Sequence, residues 1–148
     1  SECYVYSATV GDSRLYYIGK DIQQITRDHS LVEDMVRMGL LEKEEARTHY
    51  KKNVITKAIG VAEDKTATPD IFEIEIDNGD KLLLCSDGLT NMVIDYDINK
   101  IIRKSESIED AVRTLINTAN ENGGKDNISA ILISAEYTEN QDSLLSEQ

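Results

Sequence analysis

Apolar residues recur along this chain with two different periods, and each period predicts a different element. The opening run CYVYSATV and the later RLYYI are β-branched and aromatic, which predicts strands over residues 4–10 and 14–18, with a short third one over 22–25. Between the first two lies GDS, whose residue types tolerate tight turns, so a hairpin is expected there. The period then changes. In SLVEDMVRMGL, Ser30 can cap a helix and Glu33 can reach back to it, and Leu31, Met35 and Met38 are expected to form the apolar stripe. LEKEEARTHYKK reads as a second, charged and exposed helix followed by irregular chain.

The strand period returns in TPDIFEIEI, where Phe72, Ile74 and Ile76 alternate with Ile71, Glu73 and Glu75 as in a half-buried strand. After the turn residues DNGD, positions 82–85 are apolar on both faces, which marks a strand central to a sheet. Ile98, Ile101 and Ile102 point to a helix, and the strongest helical pattern in the chain comes next, in SIEDAVRTLINTANENGG. There Ile108, Ala111, Val112, Leu115, Ile116 and Ala119 share one face, with Ser107 as cap and Gly123 or Gly124 as stop. NISAILISA predicts the last strand of a single domain over residues 1–135, and 136–148 has the polarity of a disordered acidic tail.

Composition narrows the partners. The 148 residues, 40% of them hydrophobic, can bury one modest core. Acidic side chains outnumber basic ones 28 to 16, and a net charge of -12 repels nucleic acid and anionic membranes. No apolar window reaches 18 residues and SECYVYSATV lacks the regions of a signal peptide, so a soluble, cytoplasmic protein is expected. Cys3 and Cys85 match no zinc or thioredoxin spacing and read as free thiols of a reducing compartment.

Three aspartates then stand out: Asp12 in the first turn, Asp87 just past the central strand, and Asp126 just before the last strand. Gly11, Ser86, Gly88 and Asn127 are their immediate neighbours, small or polar groups that allow close backbone approach. A single Asp-Gly is an ordinary turn. Three at strand ends that can converge on one sheet edge would repel one another unless a cation neutralised them, and oxygen ligands without histidine or cysteine select Mg²⁺ or Mn²⁺.

ATVGDSRLYYI, QITRDHSLVEDMVRMG, NVITKAIGV, GDKLLLCSDGLT and GGKDNISAILI, in this order, resemble successive motifs of the type-2C, metal-dependent serine/threonine protein phosphatases, the bacterial branch most closely. The resemblance spans residues 4–134 and implies an α+β fold, a β-sandwich of mostly antiparallel sheets flanked by helices in α-β-β-α layers. It further implies that the aspartates matching Asp87 and Asp126 ligate a catalytic metal pair, and that the one matching Asp12 helps to hold a further ion. Residues 30–60 resemble the family's flap, which makes Lys51, Lys52 and Asn53 candidates for touching substrate. The implied reaction is attack of a metal-activated water on phosphoserine or phosphothreonine in proteins, the substrates of a bacterial serine/threonine kinase, with no phosphoenzyme.

The family also carries an R-x-x-N-E-D stretch and an A-D-G-x-G-G turn, sources of a phosphate-binding arginine and a metal-bridging aspartate, and neither occurs in this sequence. The expectation is therefore a domain incomplete at its N-terminus, inactive alone, and inclined to self-association through exposed strand edges. The alternative is a non-catalytic, family-derived module that binds a partner through the flap or an open edge.

Other motifs fall short. Asp95, Asp97, Asn99 and Glu106 occupy calcium-loop positions, but Lys100 stands where the sharp turn needs glycine. The same stretch lacks the threonine and turn glycine of an aspartate-nucleophile phosphatase. Cys85 lacks a phosphate-loop arginine, since Asn91 occupies that place. Asp28, His29 and Ser30 are consecutive and cannot form a hydrolase triad with one another. His29 reads as a surface residue or one supporting a site from behind, Lys51, Lys52 and Lys57 as solvated or phosphopeptide-attracting, and Arg14 as paired with an acid.

Overall fold

The computed structural model describes residues 3–60 and 67–136, so the acidic tail beyond 136 lies outside the described residues. Among the described residues six strands and five helices are arranged in the order β1 (Cys3–Thr9), β2 (Arg14–Ile18), β3 (Ile22–Gln24), α1 (Leu31–Arg37), α2 (Lys43–Ala46), β4 (Asp70–Ile76), β5 (Lys81–Cys85), α3 (Asp87–Thr90), α4 (Asp95–Lys104), α5 (Ile108–Glu121) and β6 (Ala130–Ser134). The class is α+β, with antiparallel pairing throughout: a ribbon of β1 and β4, and a four-stranded sheet in the order β3-β2-β5-β6.

Strand β5 organises both layers. Leu83 and Cys85 point into a cluster with Tyr16, Ile18 and Leu132, closed by Leu89, Ile98, Ile102, Ala111, Leu115 and Ala119 from the helices and by Val93 between α3 and α4. On the opposite face Leu82 joins Leu15, Ile74 and Ile76 in a second cluster between sheet and ribbon. A strand covered on both faces needs apolar side chains on both, which is why the run before Asp87 is continuous. The expected central strand is thus confirmed. So is the α5 stripe, with Ala111, Leu115 and Ala119 buried, Ser107 capping and Gly124 N–H closing on Ala119 O at 3.1 Å.

Three local expectations need correction. β1 and β2 do not form a hairpin: β1 runs antiparallel to β4, from Cys3 opposite Ile76 to Thr9 opposite Asp70, and GDS is a corner between two layers. The corner works because Gly11 sits at φ +113°, a region costly for side chains with a Cβ, and exchanges two hydrogen bonds with His29. In α1 it is Val32, in the first turn, that is buried, while Met38 is the C-cap residue past the last turn and is 69% exposed. The charged helix shrinks to the single turn α2, exposed as expected and held by a Glu42–Glu45 capping box.

Residues 30–56 make an excursion closed at its base by two hydrogen bonds, Leu31 N–H to Val54 O at 2.8 Å and Thr56 N–H to His29 O at 2.7 Å. Among the described residues no helix is long and apolar enough to cross a membrane. Nor does a described helix cover the outer side of the ribbon, where Tyr6 and Ile71 are about 70% exposed, so the layers among the described residues are α-β-β.

The asymmetric burial of β5 gives a first prediction. Leu83→Ala should cost about 2–5 kcal/mol in urea unfolding, and Leu84→Ala, on the same strand but 39% exposed, about 1 kcal/mol or less. Equal losses would show that β5 is not covered as described.

Candidate metal centre

Antiparallel register carries the three aspartates to one end of the sheet. Arg14 opens β2 opposite Cys85, the last residue of β5, and Cys85 in turn faces Ala130, the first residue of β6. Asp12 lies two residues before β2, Asp87 two after Cys85, and Asp126 four before β6.

Asp87 opens the one-turn helix α3, which the sequence pattern had not foreseen. Its carboxylate accepts from Asn91 Nδ2 at 3.1 Å, and its carbonyl accepts from Asn91 N–H at 2.7 Å. Asp126 is exposed, with one oxygen accepting from Asn127 N–H at 2.7 Å. Ser86 clamps this loop to α3. Its N–H donates to Ser129 O at 3.0 Å, its hydroxyl donates to Asn127 O at 3.2 Å, and that hydroxyl accepts from Ser129 N–H at 3.0 Å. Gly88 lies so close that a Cβ there would collide with the Asn127 carbonyl.

The electrostatics of Asp12 tell which carboxylates face one another. Burial, and then the Asp87 carboxylate, hold its carboxyl above the ordinary carboxylate range, and Arg14 relieves this only in small part. Arg14 is committed elsewhere: its Nε and Nη2 grip Asp28 at 2.7–3.1 Å and its Nη1 donates to the Tyr16 hydroxyl at 2.9 Å. Although burial works against its charge, the Asp28 carboxylate keeps Arg14 above its usual value. The Tyr16 hydroxyl donates to Asp95 at 3.0 Å, so Asp95 caps a buried polar chain, and α4 is a regular helix instead of a calcium loop. Burial pushes the Cys85 thiol up to about 12, which leaves no thiolate at this end of the sheet.

Asp12 thus lies within repulsive reach of Asp87, with the loop of Asp126 tethered to the same helix start through Asn127. Among the described residues no group of three His, Cys, Asp or Glu side chains closes on one point. The donor set nonetheless suits a hard divalent cation: carboxylate oxygens only, mutually repelling, with sulfur protonated and His29 engaged at both nitrogens.

The excursion reaches this end through two cations. Arg47 Nη2 donates to Thr90 O and Lys52 Nζ to Asn91 Oδ1, both at 3.1 Å, so Lys52 touches the residue that holds Asp87. Beneath it opens a cleft of about 390 Å³ lined by Arg14, Asp28, Lys43, Arg47, Lys52 and Asp95 among others. Lys51 is exposed, 5.4 Å over the Tyr50 ring, and Asn53 is exposed beside it. Lys57 pairs with Asp70 at 3.6 Å. His29 is 7% exposed, so it is not a surface residue.

Sequence reading missed Asn91 and Arg47. Asn91 was accessible as the i+4 position of a helix opening at Asp87. Nothing local marks Arg47, whose partner is 43 residues away.

Fold and site together define an antiparallel sandwich with carboxylates gathered at one end of its four-stranded sheet. Residues 1–128 match the family profile described as Protein phosphatase 2C, and the chain belongs to that family. It is 40% identical over 134 residues to the serine/threonine phosphatase stp of Listeria innocua, covering 90% of this chain and 52% of that protein. The crystal structure of serine/threonine phosphatase Stp1 from Staphylococcus aureus superposes with a TM-score of 0.85 at 44% identity, covering 90% of this chain and 52% of that one. A crystal structure of the catalytic domain of the serine/threonine protein phosphatase PstP in complex with two manganese ions superposes with a TM-score of 0.78 at 29% identity, over 90% and 54% of the two chains. The chain thus spans about half the length of the relatives it matches.

The raised carboxyl of Asp12 carries a sign that can be checked. A folded-state value above the unfolded one gives stability that is complete below the ordinary carboxylate value and is lost as pH rises through the raised one. Asp12→Asn should therefore make the metal-free chain more stable at neutral pH, and the gain should vanish in acid. Thermal melts at both pH values measure this, and a loss of stability at neutral pH would show that the Asp12 charge is already compensated.

Proposed function

We propose that this chain supplies part of a metal-dependent serine/threonine protein phosphatase in which Asp12, Asp87 and Asp126 hold Mn²⁺ or Mg²⁺. The observation that carries the reading is a half-buried Asp12 that feels the repulsion of the Asp87 carboxylate, a repulsion that a cation bound between them would relieve. A family relative holding two manganese ions on the same fold supports it.

In this proposal each side chain has a task. Asn91 fixes the rotamer of Asp87, Ser86 and Asn127 hold the Asp126 loop against α3, and the flap over residues 30–60 borders the cleft that takes chain flanking the phosphorylated residue. Lys52 and Arg47 hold that flap down, and Lys51 and Asn53 are free to meet substrate. The bound ions supply Lewis-acid activation of water and neutralise charge on the phosphoryl oxygens. The substrates are phosphoserine and phosphothreonine proteins opposed by a bacterial kinase, and the free thiols of Cys3 and Cys85 accord with a cytoplasmic setting.

The chain alone is expected to bind Mn²⁺ weakly and to turn over no phosphothreonine peptide, since the phosphate-binding arginine and bridging aspartate of the family are absent from it. A second reading, a partner-binding module without catalysis, draws on the bare sheet face at Leu84, Ile131 and Ile133, each at least 39% exposed. The same face invites self-association along the β6 edge.

Calorimetry tests the site: Mn²⁺ affinity should fall at least about tenfold when Asp87→Asn and Asp126→Asn are combined, and unchanged affinity sinks it. Joining the chain to the first half of a family domain should create Mn²⁺-dependent phosphatase activity that Asp87→Ala abolishes. A well-folded but inert product would favour the binding module.

A further inference from the structure

His29 stands where three distant parts of the chain meet. Its Nδ1 lies 3.0 Å from Gly11 N, its Nε2 lies 3.0 Å from Asp70 Oδ2 at the start of β4, and its carbonyl accepts from Thr56 N–H at the base of the excursion. The Gly11 carbonyl accepts in return from His29 N–H at 2.8 Å, so the corner next to Asp12 is held from both sides.

Donor and acceptor roles are then unambiguous. A backbone amide only donates, so Nδ1 carries no proton, and a carboxylate only accepts, so the single ring proton is on Nε2. Lys57 Nζ, 3.5 Å from Nε2, cannot donate to a nitrogen that already bears hydrogen, and its charge serves Asp70 at 3.6 Å instead. Asp70 is held below the ordinary carboxylate range, first by His29 and then by Lys57, as expected of an acceptor in this pair.

We propose that His29 is a positioning residue for the Asp12 turn: a neutral ring, protonated on Nε2, that locks Gly11 with one nitrogen and Asp70 with the other and so fixes the turn relative to β4 and the excursion base. Gly11 at φ +113° has wide freedom of its own, and without the Nδ1 acceptor nothing else in the described contacts fixes its N–H. The lock itself stands on geometry, whereas its consequence for metal rests on the reading of Asp12 as a ligand.

Two conservative replacements separate the arms, because an asparagine oxygen falls near the Nδ1 position and a glutamine amide near Nε2. His29→Asn keeps an acceptor for Gly11 and loses Asp70, and His29→Gln does the reverse. In ¹⁵N NMR of the unaltered chain at neutral pH the ring should show the neutral Nε2–H tautomer. Gly11 amide exchange, taken relative to that of Leu83 to remove global unfolding, should accelerate up to about tenfold in His29→Gln and stay near the original rate in His29→Asn. Mn²⁺ affinity should follow the same order. A charged or Nδ1–H ring in the unaltered chain overturns the proposal whether or not the variants fold, as does equal Gly11 exchange in both. Gly11 exchange that separates the variants while the unaltered chain binds no Mn²⁺ upholds the lock and removes Asp12 as a ligand.

Discussion

The structure depends on one constraint: strand β5 is paired on both edges and buried at Leu83 and Cys85 on one face and at Leu82 on the other, so it cannot shift register without exposing all three at once. A strand so fixed delivers the residues beyond its end to a defined point. Those residues are Ser86, Asp87 and Gly88, and the sheet's antiparallel alternation brings the beginnings of β2 and β6 to the same point. Gathering carboxylates on one edge is thus a consequence of topology, and the hydrophobic core opposes their separation.

That gathering has an energetic cost visible at Asp12, whose carboxyl is disfavoured as a charge by burial and by Asp87. Close packing keeps the loops from relaxing away. Ser86 makes three hydrogen bonds to the loop before β6, Gly88 leaves room for the Asn127 carbonyl, and the Gly11 corner is tied to His29. A polar scaffold that holds a repulsive arrangement in place without a local gain in stability is the arrangement expected of a binding site.

How much was legible in the sequence depends on how far each signal reaches. Continuous apolarity in LLLC and the stripe of α5 are local patterns forced by burial, and both elements were read correctly. Pairing is not local. CYVYSATV and RLYYI have hairpin chemistry between them, yet the partner of β1 lies more than sixty residues on, and only the ribbon's shared apolar face with Leu15 and Leu82 decides it. The aspartates were legible because strand ends mark themselves with polar and glycine residues. Their supports were not: Asp70 for His29, Thr90 for Arg47 and Asn127 for Ser86 are each some forty residues distant and carry no periodic signature.

Two cations of the excursion join it to the helical turn that opens at Asp87. Lys52 does not reach Asp87 directly; it holds Asn91 Oδ1, and Asn91 holds Asp87 through Nδ2, so one amide side chain is used at both ends. Arg47, bonded to the Thr90 carbonyl one residue earlier, bears on the backbone of the same turn. The excursion and the Asp87 carboxylate therefore meet on a single turn of helix, where the Asn91 side chain is bonded to both.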